Sequence, residues 1–250
     1  MIGSRPEPQY IRPAHVITAL TYGVQLFART APICLAYSAI FALLGVILIW
    51  LLSLAGLAPL GLPLVGGFML VAPGLLAGFF AISRALRSGR KPGWRDVVRG
   101  FVGMPRALWG LLLVCVFLFV IWMTDAGILY SFMLGRSDAE GRMLFPLSAE
   151  LLRFHLGSVV AGGLFALIVF CITAYAVPLL IERRANLVVA VTASVRAIFR
   201  SIGANMMWAV ILAGSVIVSI IVPLLLTVVL PIMAFTTEGL YRAVFPDGQD

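Results

Sequence analysis

Two histidines, three cysteines and ten acidic residues are the side chains that this 250-residue chain offers for holding a metal. His15 and His155 are separated by 140 positions and are expected on opposite sides of a membrane, so they cannot share a metal or clamp a haem. A haem-copper core, which needs several intramembrane histidines, is excluded, and each His is read as an interfacial polar residue. Cys34, Cys115 and Cys171 fall singly within apolar runs, with no CxxC or Cys/His spacing. Neither a disulfide framework nor a zinc site is supported; small packing side chains are the expected role. There is no Ser/His/Asp set, phosphate loop or dinucleotide fingerprint, so no catalytic residue, cofactor or metal is assigned.

Three carboxylates remain. Asp125 interrupts an apolar run, where an acid is costly and usually has a partner or a proton-linked role. It is the candidate intramembrane polar site, although reaching outer head-group water would satisfy it as well. Glu182 and Glu238 stand near the ends of other apolar runs, close to Arg183, Arg184 and Arg242. Ion pairs closing the inner mouth of a helix bundle are their expected role, with a proton or cation gate as the sharper alternative.

The elements that must position these groups are membrane spans. Hydrophobic residues make up 62% of the chain and charged ones 11%, against roughly a quarter charged in soluble domains. Apolar runs of twenty residues read as spans, which predicts an all-α, polytopic transmembrane bundle of about six spans with interfacial amphipathic helices. The domain division is a tail and interfacial helix over 1–32, a membrane domain over 33–242 and a short tail over 243–250. Ile17, Leu20, Val24 and Phe27 recur at helical spacing, predicting a surface helix over Ala14–Arg29. Thr30 then caps a first span near Ile33–Ile49. The first apolar run, Ile33 to Leu54, is longer than a signal-peptide core of about 7–15 residues and is expected to be retained.

Span two is placed at Leu64–Ser83, kinked at Pro73, with Gly74 and Gly78 in a GxxxG spacing read as internal packing before a dimer contact. A second surface helix is expected around Trp94–Phe101. Span three starts near Ala107 and runs past Asp125. Span four covers Leu156–Ile181, with Ser158, Gly162 and Ala166 for close packing and Pro178 in the last turn. A third amphipathic stretch covers Leu187–Ser201. Residues 204–237 carry no charge. One helix of that length would measure about 51 Å, too long for a core of about 30 Å, so two spans breaking near Pro223 are predicted. Pro73, the basic loop and Trp109 recur in order as Pro178, the Arg196/Arg200 stretch and Trp208, a faint internal echo.

The charges orient the threading. In this topology fifteen of the eighteen basic residues lie on one side, and only Arg136, Arg142 and Arg153 on the other. That asymmetry predicts a bacterial inner membrane protein with both termini cytoplasmic. Arg84, Arg87, Arg90, Lys91, Arg95, Arg99, Arg196 and Arg200 are the candidate contacts to anionic lipid on the cytoplasmic face. The net charge of +8 belongs to short loops that flank no aromatic-rich soluble module, so no nucleic acid is expected as a partner.

Gly67-Phe68-x-Leu70-x-x-Pro73, Gly78 and Ile82-Ser83-Arg84 resemble a proteobacterial family of integral membrane proteins, domain of unknown function 2189. The resemblance continues through Pro178, Glu182-Arg183, Ala190, Ser194 and Trp208 to Pro231 and Leu240-Tyr241-Arg242. It implies a multi-span inner-membrane fold and no known substrate. The family pattern has two histidines near its end where this chain has Phe235 and Gly239, which marks a divergent member and removes any role resting on them. The leading functional expectation is a non-catalytic accessory or assembly component that works with other inner-membrane proteins. The alternatives are a small transporter or channel using Asp125, and a lipid- or quinone-handling enzyme.

Overall fold

A computed structural model describes residues 6–61, 63–64, 72–134 and 149–246. The first helix, α1, runs unbroken from Pro13 to Leu54, about 63 Å at 1.5 Å per residue. Pro13 occupies its first position, where a missing N–H costs nothing, and the Arg12 amide donates to Nδ1 of His15 at 3.0 Å. The surface helix expected over Ala14–Arg29 and the span expected from Ile33 are therefore one element. Thr30 caps nothing: its hydroxyl donates back to the Leu26 carbonyl at 2.8 Å, and Pro32 sits within the helix without ending it.

The face of α1 that packs is also not the one its large apolar residues mark. Ile17 and Val24 are exposed, whereas Val16, Ala19, Gly23 and Leu26 are buried. Lipid rewards a large apolar side chain as well as a protein core does, so helices approach along their small residues. The partner of α1 is α9 (Leu226–Val244), its most extensive contact. They meet where Gly23 lies against the Ile232 carbonyl and Gly239 against Ala19 and Tyr22.

Between them the chain makes three excursions out and back from one end. α1 leaves, and after a turn at Ala58–Leu60 the chain returns through a 3-10 turn, Ala72–Leu75, and α2 (Leu76–Arg87). The short α3 (Trp94–Val102) follows; then α4 (Arg106–Leu134) leaves and α5 (Ala149–Thr173) with α6 (Ala176–Ile181) comes back. After α7 (Leu187–Arg200), α8 (Ile202–Ile221) leaves and α9 returns across a 3-10 turn at Pro223–Leu225. The break near Pro223 is where the uncharged run predicts it. At the home end the Gln9 amide donates to the Val244 carbonyl and the Ile11 amide to the Ser201 hydroxyl. At the far end Trp122 donates to the Pro63 carbonyl and Tyr130 to that of Gly56.

The described residues are helical without a strand, and five helical stretches are long and apolar enough to cross a membrane. The expected second span lies partly outside the described residues, as do the Gly67-Phe68 motif and the far-side loop with Arg136 and Arg142. The GxxxG pair packs internally, Gly78 on the Tyr37 ring and Gly74 on Leu112. Gly162 of α5 likewise lies against the Trp122 ring.

Span four is not one helix. Pro178 cannot donate to the Ala174 carbonyl and its ring crowds it, so α5 ends at Thr173 and α6 restarts at Ala176. The Tyr175 amide freed at the break donates to the Ser194 hydroxyl at 3.2 Å, and that hydroxyl donates to the Cys171 carbonyl at 2.9 Å. α7 supplies this serine because its small face, Ala190, Ala193, Ser194 and Ala197, is buried in the main core. It is thus a packed bundle element as well as an amphipathic one. Asn186 caps it, accepting from the Val189 amide at 3.0 Å. The three cysteines are free.

The order of elements in α2–α3–α4 recurs in α6–α7–α8, but the two tryptophans of the echo differ, Trp109 being 58% exposed and Trp208 only 2%.

Candidate functional site

The home end is the basic end, and its charged residues form a connected lock. Glu238, on the last turns of α9, has a fully buried side chain. Its Oε1 forms an ion pair with Nη2 of Arg87 at 3.0 Å and accepts from Nη2 of Arg242, one helical turn on, at 3.3 Å. The same Arg242 nitrogen lies 3.4 Å from Oε1 of Glu182. The Tyr241 hydroxyl donates to Oε2 of Glu182 at 2.7 Å and accepts from Arg184 at 3.2 Å. Arg184 donates onward to the Phe245 carbonyl at 2.9 Å. One chain of charge-assisted bonds therefore ties the end of α2, the turn after α6 and the end of α9.

Of the five residues expected at this mouth, four join the lock: Glu182, Arg184, Glu238 and Arg242. Arg183 turns away and reaches the Gly103 carbonyl at 3.4 Å. The Glu238–Arg242 pair is legible in sequence as an i, i+4 spacing with the acid first. Arg87 is not, because its partner is 151 positions away; expected at the lipid boundary, it serves Glu238 instead. Oε2 of Glu238 and the hydroxyl of Ser83, on α2, are buried and close no hydrogen bond, though Ser83 faces both Glu238 and Tyr22.

A smaller pair stands on α3. Asp96 accepts from the Gly93 amide at 3.1 Å and from Arg90 at 3.1 Å. Burial acts to raise its pKa, but the amide, Arg90 and the charge of Arg99 outweigh it and hold the carboxyl below its ordinary range. Arg90, like Arg87, is thus paired with a carboxylate although both are exposed, as are Arg84, Lys91, Arg95, Arg99, Arg196 and Arg200.

The turn after α6 carries a conformational peculiarity. Arg183 has φ +57°, the only positive φ at a non-glycine among the described residues. The Arg183 amide donates to the Leu180 carbonyl and the Arg184 amide to that of Leu179, a Schellman end in which glycine is the usual left-handed residue. The ends of α1 and α2 are built the same way with Gly56 and Gly89 at that position.

Two adjoining clefts open beside this turn. One, of about 460 Å³, is lined by Arg84, Ile181, Glu182, Arg183 and Arg184. The other, a slot of about 60 Å³ between α2 and α3, includes Ala77, Ala81, Arg99, Gly100 and Gly103, and shares Arg84 and Ile181 with the first. Gly100 makes the narrow approach possible, since a Cβ there would meet the Ala77 carbonyl oxygen at 2.6 Å.

Elsewhere, Asp125 stands exposed on the far half of α4, away from the lock. His15 serves the start of α1 at the basic end, and His155 is buried on α5, toward the far end. Among the described residues no group of three or more His, Cys, Asp and Glu could hold a metal.

No curated protein and no solved structure matches this chain. The family described as predicted integral membrane protein, domain of unknown function 2189, matches residues 61–182, which include α2 to α6, Arg84, Arg87 and Glu182 but not Glu238, Tyr241 or Arg242. Over that stretch the chain is similar to this family, and with five apolar helices long enough to cross a bilayer it is an integral membrane protein.

Proposed function

We propose that this is a non-catalytic component of the bacterial inner membrane, an accessory or assembly partner of other membrane proteins, with its termini and basic loops in the cytoplasm. The observation that carries the reading is the lock. Glu182 and Glu238 are each held by arginine, and the network bridges elements from the first, second and third excursions of the chain. Carboxylates so engaged act as a clasp on the bundle rather than as acids or bases for a substrate. The clustering of the N-terminal segment, both basic loops and the end of α9 at one end supports the cytoplasmic placement, through the preference of basic residues for that side.

Purification in mild detergent tests the role: a stoichiometric membrane partner is expected, and a protein isolated alone under every condition counts against it. Reporter fusions near Lys91 test the threading, and a periplasmic signal there overturns it. Transport through Asp125 is the alternative, and it gains nothing from a carboxylate exposed on α4. Unchanged flux in liposomes after Asp125→Asn removes it.

A further inference from the structure

We infer that the two adjoining clefts form a site for a single anionic phospholipid. Its phosphate would be held by Arg84 and Arg183 over Arg184, and its glycerol ester end seated in the slot between α2 and α3. This rests on the reading of the basic end as lying at the membrane–water boundary, and not on the protein having partners.

The polar cleft has the composition a phosphate needs. Three arginines line it, and guanidinium groups recognise phosphate oxygens in pairs. Glu182, its one acid, is already engaged by Arg242 and Tyr241, so its charge does not cancel theirs. Arg84 makes no hydrogen bond and no ion pair among the described residues; its one described interaction is the longer-range attraction of Glu238. Arg183 has one long contact, 3.4 Å to the Gly103 carbonyl. These two guanidinium groups are therefore available to a ligand, whereas Arg184 is fixed by Tyr241 and Phe245.

The backbone points the same way. Two of the three Schellman ends use glycine, and the one at the cleft keeps an arginine in a conformation that disfavours side chains. The left-handed backbone sets the direction in which the Arg183 side chain leaves the turn, and that side chain lines the cleft. The slot supplies the second half of the recognition. At about 60 Å³ it has the room of about two waters, enough for an ester group but not an acyl chain. Trp94, Val98 and Val102 of α3 and Trp109 of α4 are exposed, apolar surface of the kind that meets lipid at the head-group level.

Native mass spectrometry of the intact protein in mild detergent, titrated with phosphatidylglycerol or phosphatidylcholine, tests the site. One phosphatidylglycerol is expected to be retained at least about ten-fold better than phosphatidylcholine. Arg183→Gly and Arg84→Gln should each lower that retention several-fold, while Arg196→Gln/Arg200→Gln on α7 leaves it unchanged. Arg183→Gly should also keep or raise the melting temperature, because glycine relieves the backbone, which separates lost binding from lost folding. Equal retention of the two lipids overturns the proposal, as does an equal loss in the α7 variant, which would mean diffuse charge attraction. Displacement of the lipid by equimolar glycerol phosphate or inorganic phosphate would assign the arginines to a soluble anion and also overturn it. Neither result depends on co-purification of a protein partner.

Discussion

Replacing Gly23 by alanine tests the packing that brings α9 and its glutamate to the basic end. In an open helical position the change stabilises by up to about 1 kcal/mol, since glycine is the poorer helix former. Here the added Cβ would meet the Ile232 carbonyl oxygen at 2.7 Å, the Thr236 amide nitrogen at 3.1 Å and, closer still, the Thr236 hydroxyl. The first two are backbone atoms of α9 and cannot rotate aside, so the helices must separate. Overpacking of this sort costs about 1–3 kcal/mol, which exceeds the propensity gain. Net destabilisation of up to about 2 kcal/mol is expected from the difference. Gly163→Ala and Gly214→Ala are the matched controls, helical glycines with nothing within 4 Å of the added atom, and should stabilise by about 0.5–1 kcal/mol. Reversible unfolding in mixed detergent micelles, followed by tryptophan fluorescence and helical circular dichroism, measures all three. If Gly23→Ala proves as stable as Gly163→Ala, the close crossing of α1 and α9 is wrong, and with it the geometry that delivers Glu238 to Arg87.

The lock should respond asymmetrically in the same unfolding assay. Arg87→Met leaves a fully buried carboxylate with fewer partners and should cost about 1–3 kcal/mol. Glu238→Gln should cost less, because Arg87 and Arg242 keep 35% and 31% of their side-chain surface exposed and can turn to water. The double variant should lose less than the sum of the two, and strict additivity would dismiss the coupling. Asp96 gives a pH signature: its folded pKa is depressed, so its contribution is complete above the unfolded value of about 3.9 and fades as pH falls through the folded one. Asp96→Asn should flatten that part of the acid-unfolding profile, and an unaltered profile would refute the assignment. Asn205→Leu should destabilise by about 1–3 kcal/mol, since its buried amide accepts from Tyr175 at 2.6 Å and donates to the Ser201 carbonyl at 3.0 Å. A cost no larger than that of Tyr175→Phe would show that the Ser201 bond contributes little.

What could be read directly was what lipid and water decide locally. Apolar runs, the basic stretch from Arg84 to Arg106, the break at Pro223 and the i, i+4 pair of Glu238 and Arg242 each depend on residues close in the chain. The helical membrane bundle follows from them. The continuity of α1 did not follow, because the large apolar stripe at Ile17 and Val24 looks outward to lipid and the small stripe at Ala19 and Gly23 makes the contact. A periodicity rule built on water has no way to tell those faces apart. The break at Tyr175 was nearly legible, since Pro178 withdraws a donor from Ala174, but its repair needed Ser194 from another helix.

The lock belonged to tertiary structure. Arg87 could as well have faced lipid phosphates as Glu238 until α2 was laid against α9, and Arg183 could as well have joined the acids as turned to Gly103. Charges on different helices are paired by the directions in which the bundle points them, and no spacing along the chain encodes those directions. The amino-acid order by itself therefore determined that the chain enters a bilayer and which end is basic. Packing of small residues decided which of those basic groups neutralise carboxylates and which do not.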